Sequence, residues 1–196
     1  MGSLDGRIAL VTGSSRGIGE YVAKHLASAG AKVAIAARSV EVTDKRLPGT
    51  IHSVSESINN SGGKAIPVVM NMRDTESIKS GVDQTVEELG GLDIIVNNAA
   101  ILVPGSLDSV QERHIDLIWQ IDLKGPLILM KHSLPHIRNA GGGDIINVSS
   151  IAGVFPGPGP YEPLEKGREG SFYGMVKSGL ERFSQGLARE VQADNI

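Results

Sequence analysis

The chain has 196 residues, 40% hydrophobic and 21% charged, enough apolar matter for the core of one ordinary domain and too much for a disordered tail. Its formal net charge of −3, with both signs interspersed and no basic stripe, argues against a nucleic-acid partner, and the lack of cysteine excludes disulfides and thiolate metal sites. No stretch offers about 18 uninterrupted apolar residues, and the start, MGSLDGRIALVTG, lacks a charged region leading into a long apolar run, so the expectation is a cytoplasmic protein without a membrane partner, one domain over residues 1–196.

The first short Val/Ile-rich run, Arg7 to Thr12, reads as a strand. It leads into Thr12-Gly13-Ser14-Ser15-Arg16-Gly17-Ile18-Gly19 and then a helix, Gly17 to Ala29. Glycines between a strand and a helix let the chain turn tightly and let backbone amides approach a pyrophosphate, with the helix N-terminus adding partial positive charge. Lys32 to Ala37 is the second strand, and its end reads Ala36-Ala37-Arg38. An acidic residue there would accept hydrogen bonds from adenosine ribose hydroxyls and repel a 2′-phosphate. With no carboxylate present, Arg38 following, and Arg16 in the turn, two guanidinium forks converge on a dianion, and the expected cofactor is NADP(H). The stretch Val40 to Thr50, with Lys45 and Arg46, reads as a solvated loop.

Further along come a helix around Ile51 to Asn60, a strand at Ala65 to Met70, a helix at Thr75 to Leu89 and a strand at Asp93 to Asn97. Helical spacing then runs from Glu112 to Ile137, with an interruption or end expected near Pro135, because proline removes a backbone donor. A fifth strand, Asp144 to Ser149, precedes a loop, Ile151 to Phe172, with Pro156, Pro158, Pro160 and Pro163, expected to overhang a substrate site. The last helix, Phe172 to Gln192, is amphipathic, with Tyr173, Val176, Leu180, Phe183, Leu187 and Val191 on one face. Alternating strands and helices with nearly continuous apolar strands predict a doubly wound parallel sheet with helices on both faces, a three-layer α/β fold. The histidines, at 25, 52, 114, 132 and 136, form no metal-ligand motif.

Four elements in this order resemble the short-chain dehydrogenase/reductase family over essentially the whole chain. They are the turn Thr12 to Gly19, Asn97-Asn98-Ala99-Ala100, Asn147-Val148-Ser149-Ser150, and Tyr173-Gly174-Met175-Val176-Lys177. The two extended loops are similar to those of its hydroxysteroid dehydrogenase-like and terpenoid-alcohol dehydrogenase branches. The resemblance implies a Rossmann fold and hydride transfer between NADP(H) and a small carbonyl or secondary alcohol. It implies Tyr173 as acid/base, Ser150 polarising the substrate oxygen, and Lys177 holding the nicotinamide ribose. Asn71 and Met72 are implied at the adenine and Asn98 at the adenosine side. The long helices at 112–137 and 172–192 are those that build family homodimers and homotetramers.

Chemistry agrees with that assignment. A phenol with a pKa of about 10 is poorly matched to neutral pH, and Lys177, one helical turn away, is expected to favour the phenolate and draw that value down. The family's fourth catalytic residue is an asparagine where this chain reads Ile121-Asp122-Leu123. Asp122 adds a negative charge, which is expected to pair with Lys177 and to raise Tyr173 again. Family members also continue past the last helix with further strands, so a chain stopping at Ile196 is expected to leave its fifth strand as an apolar edge. Asp122 and that ending motivate a non-enzymatic alternative, an NADP(H)-binding scaffold or oligomer partner.

Overall fold

A computed structural model describes residues 2–154 and 170–196. Five strands, β1 (Ile8–Thr12), β2 (Lys32–Ala37), β3 (Lys64–Val69), β4 (Ile94–Asn97) and β5 (Asp144–Asn147), form one parallel sheet in the order β3-β2-β1-β4-β5. β1 is central and wholly buried, and its residues alternate between two cores, as a period of two requires. Ala9 and Val11 face α1 (Gly17–Ser28) and α2 (Ile51–Asn60) through Ala23, Ala27, Ile51, Val54 and Ile58. Ile8 and Leu10 face the opposite core, which contains Ile78 and Val82 of α3 (Thr75–Leu89), Leu129 and Ile137 of α5 (Gly125–Asn139), and Val176 and Leu180 of α6 (Ser171–Glu190). This is the doubly wound, Rossmann-type sheet that the apolar runs predict. Such a sheet opens a crevice at the carboxyl ends of its strands where the winding reverses, here between β1 and β4.

Two expectations are corrected. The helical stretch from Glu112 does not break at Pro135: α5 runs on to Asn139. Pro135 lies on the exposed side in the penultimate turn, beside exposed Lys131, so the carbonyl it leaves unpaired faces solvent. The interruption instead comes earlier, where α4 (Glu112–Ile118) passes into a π-helical segment, Trp119–Lys124, before α5. The second correction concerns β5, which ends at Asn147 rather than Ser149 and pairs only with β4 among the described strands. As the edge strand it leaves Ile146 46% exposed, so its apolar run is not covered on both faces. The expected overhang between Ile151 and Phe172 falls mostly on 155–169, outside the described residues. Among the described residues, no helix is long and apolar enough to cross a membrane.

Candidate active site

The turn after β1 is held by Thr12 and Asn98. The Thr12 hydroxyl donates to the Val96 carbonyl (3.2 Å) and accepts from the amides of Asn98 and Ala99 (3.0 Å each), while the Asn98 side chain donates to the Thr12 carbonyl (2.8 Å). This brings the loop after β4 against the turn. Gly13 has a φ of 65°, a region that favours glycine, and at Gly19 a Cβ would stand 2.5 Å from the Gly13 carbonyl oxygen. The first-turn amides of α1 have no intrahelical acceptor of their own, and Ile18 and Gly19 of that turn line the crevice.

That crevice is a cavity of about 470 Å³ lined by the turn, the ends of β2 and β3, the loop after β4, and Ile121. Of the expected cofactor residues, Gly13, Ser15, Arg16, Ile18, Gly19, Arg38, Asn71, Met72 and Asn98 all line it. Among the described residues, two arginines stand in this lining and no carboxylate does. Ser14 and Gly17 are not part of it. The Ser14 hydroxyl is fully buried, donating to the Val11 carbonyl (2.7 Å) and accepting from the Ala36 amide (2.9 Å), so it joins β1 to β2 rather than facing a ligand. Arg16 also has local work: its guanidinium donates to Ser39 Oγ (2.8 Å) and to the Gly49 carbonyl (3.2 Å), tying the loop after β2 to the turn.

Tyr173 and Lys177, expected at the cofactor, and Ser150 and Asp122 are not among the residues lining this cavity; Asp122 is tied to its wall through Ile101. Asp122 is wholly buried, and its Oδ1 accepts the Ile101 amide at 2.8 Å. Its Oδ2 has no hydrogen-bond partner and stands 3.8 Å from Lys177 Nζ. Lys177, 2% exposed, donates to the Val148 carbonyl (3.0 Å), and its ammonium is 5.4 Å from the centre of the Tyr173 ring. Ser150 stands where it favours ionisation of Tyr173, and its hydroxyl accepts the Ala152 amide at 3.2 Å. The neighbouring Ser149 is engaged with the Glu181 carboxylate. Sequence spacing brought Tyr173 and Lys177 together. Their meeting with Ser150 and Asp122 depends on β5 and the π-helical segment converging on α6.

The electrostatics differ from expectation. Burial raises Asp122 to about 6, against the pull of the Ile101 amide and Lys177. Burial also holds Lys177 below its ordinary range, despite Asp122. Tyr173 is pushed up, first by burial and then by the Asp122 carboxylate, with Ser150 pulling partly back. The expected lowering by Lys177 is therefore not the net result, because burial of the phenol comes first and the Asp122 charge adds to it. Sequence reasoning missed Ser39, Gly49, Ile101 and Glu181. Their contributions are a backbone group or a contact distant in sequence, for which no local motif exists.

A switch-point crevice beside a Ser-Tyr-Lys group defines the class of dinucleotide-binding, Rossmann-type domains. The chain belongs to the short-chain dehydrogenase family, whose model matches residues 7–196. It is 34% identical over 194 residues to hydroxysteroid dehydrogenase-like protein 2 of Bos taurus, covering 98% of this chain and 44% of that protein, so it spans less than half the length of that relative. Among solved structures it is similar to a dehydrogenase/reductase from Sinorhizobium meliloti (TM-score 0.83, 33% identity, 99% of this chain and 70% of that one). It is also similar to the L-sorbose reductase of Gluconobacter frateurii in complex with NADPH and L-sorbose (TM-score 0.85, 29% identity, 98% of this chain and 67% of that one).

Proposed function

We propose that this chain carries the cofactor site and catalytic residues of an NADP(H)-dependent oxidoreductase acting on a carbonyl or secondary alcohol. The observation that carries the reading is the convergence of Ser150, Tyr173 and Lys177 beside a cavity whose lining, among the described residues, holds Arg16 and Arg38 and no acid. That donor set fits a cofactor with a pyrophosphate and a 2′-phosphate. The α1 amides and the glycine turn would take the pyrophosphate, and Arg16 and Arg38 the dianion, while Asn71, Met72 and Asn98 wall the adenosine end. When bound, the nicotinamide supplies or accepts the hydride. Tyr173 exchanges a proton with the substrate oxygen, Ser150 hydrogen-bonds the same oxygen, and Lys177 holds the nicotinamide ribose. The similarity to a reductase solved with NADPH supports this cofactor.

The same reading includes a cytoplasmic location and a homodimer or homotetramer formed through the helical faces that expose Trp119, Met175 and Phe183. Asp122 favours a second reading, in which the domain binds NADP(H) without turnover. Titrations with NADPH and NADH, followed by nicotinamide fluorescence, test the cofactor: NADPH is expected to bind at least about tenfold tighter, the span of one charge-assisted contact. Equal affinity would refute the arginine assignment. With a panel of ketones and aldehydes, Tyr173→Phe is expected to cut kcat by about 10²–10⁴ while binding NADPH normally. No turnover by the unmodified protein on any panel member would favour the second reading.

A further inference from the structure

Asp122 sits in the π-helical segment with its two oxygens differently employed. Oδ1 anchors the Ile101 amide at the edge of the cavity (2.8 Å), and Oδ2, buried and without a hydrogen-bond partner, faces Lys177 Nζ at 3.8 Å. Anchoring Ile101 needs only an acceptor, which an amide oxygen supplies equally well. The carboxylate is therefore a surplus charge, placed beside the ammonium that lies 5.4 Å from the Tyr173 ring. Among the described residues its only ion-pair partner is Lys177. From α6 the titratable groups facing this site are Tyr173 and Lys177. Glu181, the next acid along that helix, is engaged with Ser149. Among the described residues, the stretch after β5 brings the Val148 carbonyl and the Ser150 hydroxyl, and the loop after β4 a backbone amide.

We propose that Asp122 is a positioning residue that cancels the charge of Lys177 at Tyr173, leaving the phenol a proton donor across the neutral range and setting the site to reduce ketones or aldehydes. The proposal rests on the function given above and adds its working direction and substrate class. In that direction the carbonyl carbon accepts hydride from reduced nicotinamide, and the carbonyl oxygen takes the Tyr173 proton as its O–H bond breaks. The phenolate left behind is reprotonated from solvent. The upward displacement of Tyr173, to which the Asp122 charge contributes after burial, agrees with this.

Tyrosinate absorbance tests the idea without any turnover. The chain has three tyrosines, Tyr21, Tyr161 and Tyr173, so subtracting the titration of Tyr173→Phe from that of the unmodified protein isolates Tyr173. It is expected to ionise at or above the ordinary phenol value of about 10, and a value clearly below would overturn the proposal whether or not other variants fold. In Asp122→Asn it should ionise about one pH unit lower or more, a tenfold loss of proton affinity, and adding Lys177→Met should reverse the drop. An unchanged titration in a folded Asp122→Asn sinks the proposal while leaving the proposed function standing. Normal turnover by Tyr173→Phe sinks the function, whatever the titration reads. With a ketone and its alcohol as paired substrates, Asp122→Asn should move the acid limb of alcohol oxidation to lower pH, which loss of a merely structural contact would not do.

Discussion

Gly19 and Asp122 show two ways in which one atom matters. At Gly19 the constraint is steric, since a Cβ would meet both the Gly13 carbonyl oxygen and the Asn98 amide nitrogen at 2.5 Å. Neither can retreat easily: one is backbone, and the other donates to the Thr12 carbonyl. Gly19→Ala is expected to cost about 1–3 kcal/mol of stability, as overpacking does, and to weaken NADPH binding by opening the turn. Denaturant unfolding and a fluorescence titration measure the two effects, and a variant unaltered in both would contradict this packing. At Asp122 the constraint is electrostatic. Replacing an amide with a carboxylate changes little in shape, yet in this buried setting it alters the charge felt by Lys177 and Tyr173.

The π-helical segment Trp119–Lys124 joins the cavity wall to Lys177 and its neighbour Tyr173. Ile121 lines the cavity, Asp122 reaches Lys177, and Gln120 accepts from Arg73 after β3 (3.1 Å). Where it passes into α5, Gly125 packs so tightly that a Cβ would lie 2.6 Å from the Met72 carbonyl oxygen. Gly125→Ala should therefore push this segment from the Met72 side of the cavity, destabilising the protein by about 1–3 kcal/mol and lowering NADPH affinity, whereas alanine at an exposed helix position would stabilise. Unfolding curves and NADPH titration check it, and a more stable variant would refute the close approach. Helical periodicity from Glu112 onward revealed a helix but could not disclose the π segment, because one extra residue per turn barely disturbs the apolar spacing. Pro135 was a misleading signal for a related reason: whether a proline ends a helix depends on whether solvent can take the freed carbonyl, and that is a matter of exposure.

For the whole molecule, the buried carboxylate makes stability depend on pH. Asp122 has its ordinary value of 3.8 when unfolded and about 6 when folded, so the native state binds its proton more tightly. The stability this provides is complete below about pH 4 and is lost as pH rises through about 6, amounting to something on the order of 3 kcal/mol. Urea unfolding of the unmodified protein and Asp122→Asn across this range measures it. Subtracting one curve from the other removes the carboxylates common to both, and the advantage of the unmodified protein should fall between pH 4 and 6 and level off above. A difference that rises with pH would show that Lys177 stabilises the carboxylate more than burial opposes it.

The sequence by itself determined the strand centres, the helices between them, the glycine turn and the one-turn spacing of Tyr173 and Lys177, because periodicity and turn chemistry act over a few neighbouring residues; the choice of Ser150 came from the family resemblance. Only the tertiary structure decided that Ser14 faces inward, that Arg16 braces the loop after β2, that Ser149 goes to Glu181, and that Asp122 reaches Lys177. It also decided the direction in which Tyr173 is displaced, since burial and the approach of charges from distant parts of the chain set the cost of ionising it.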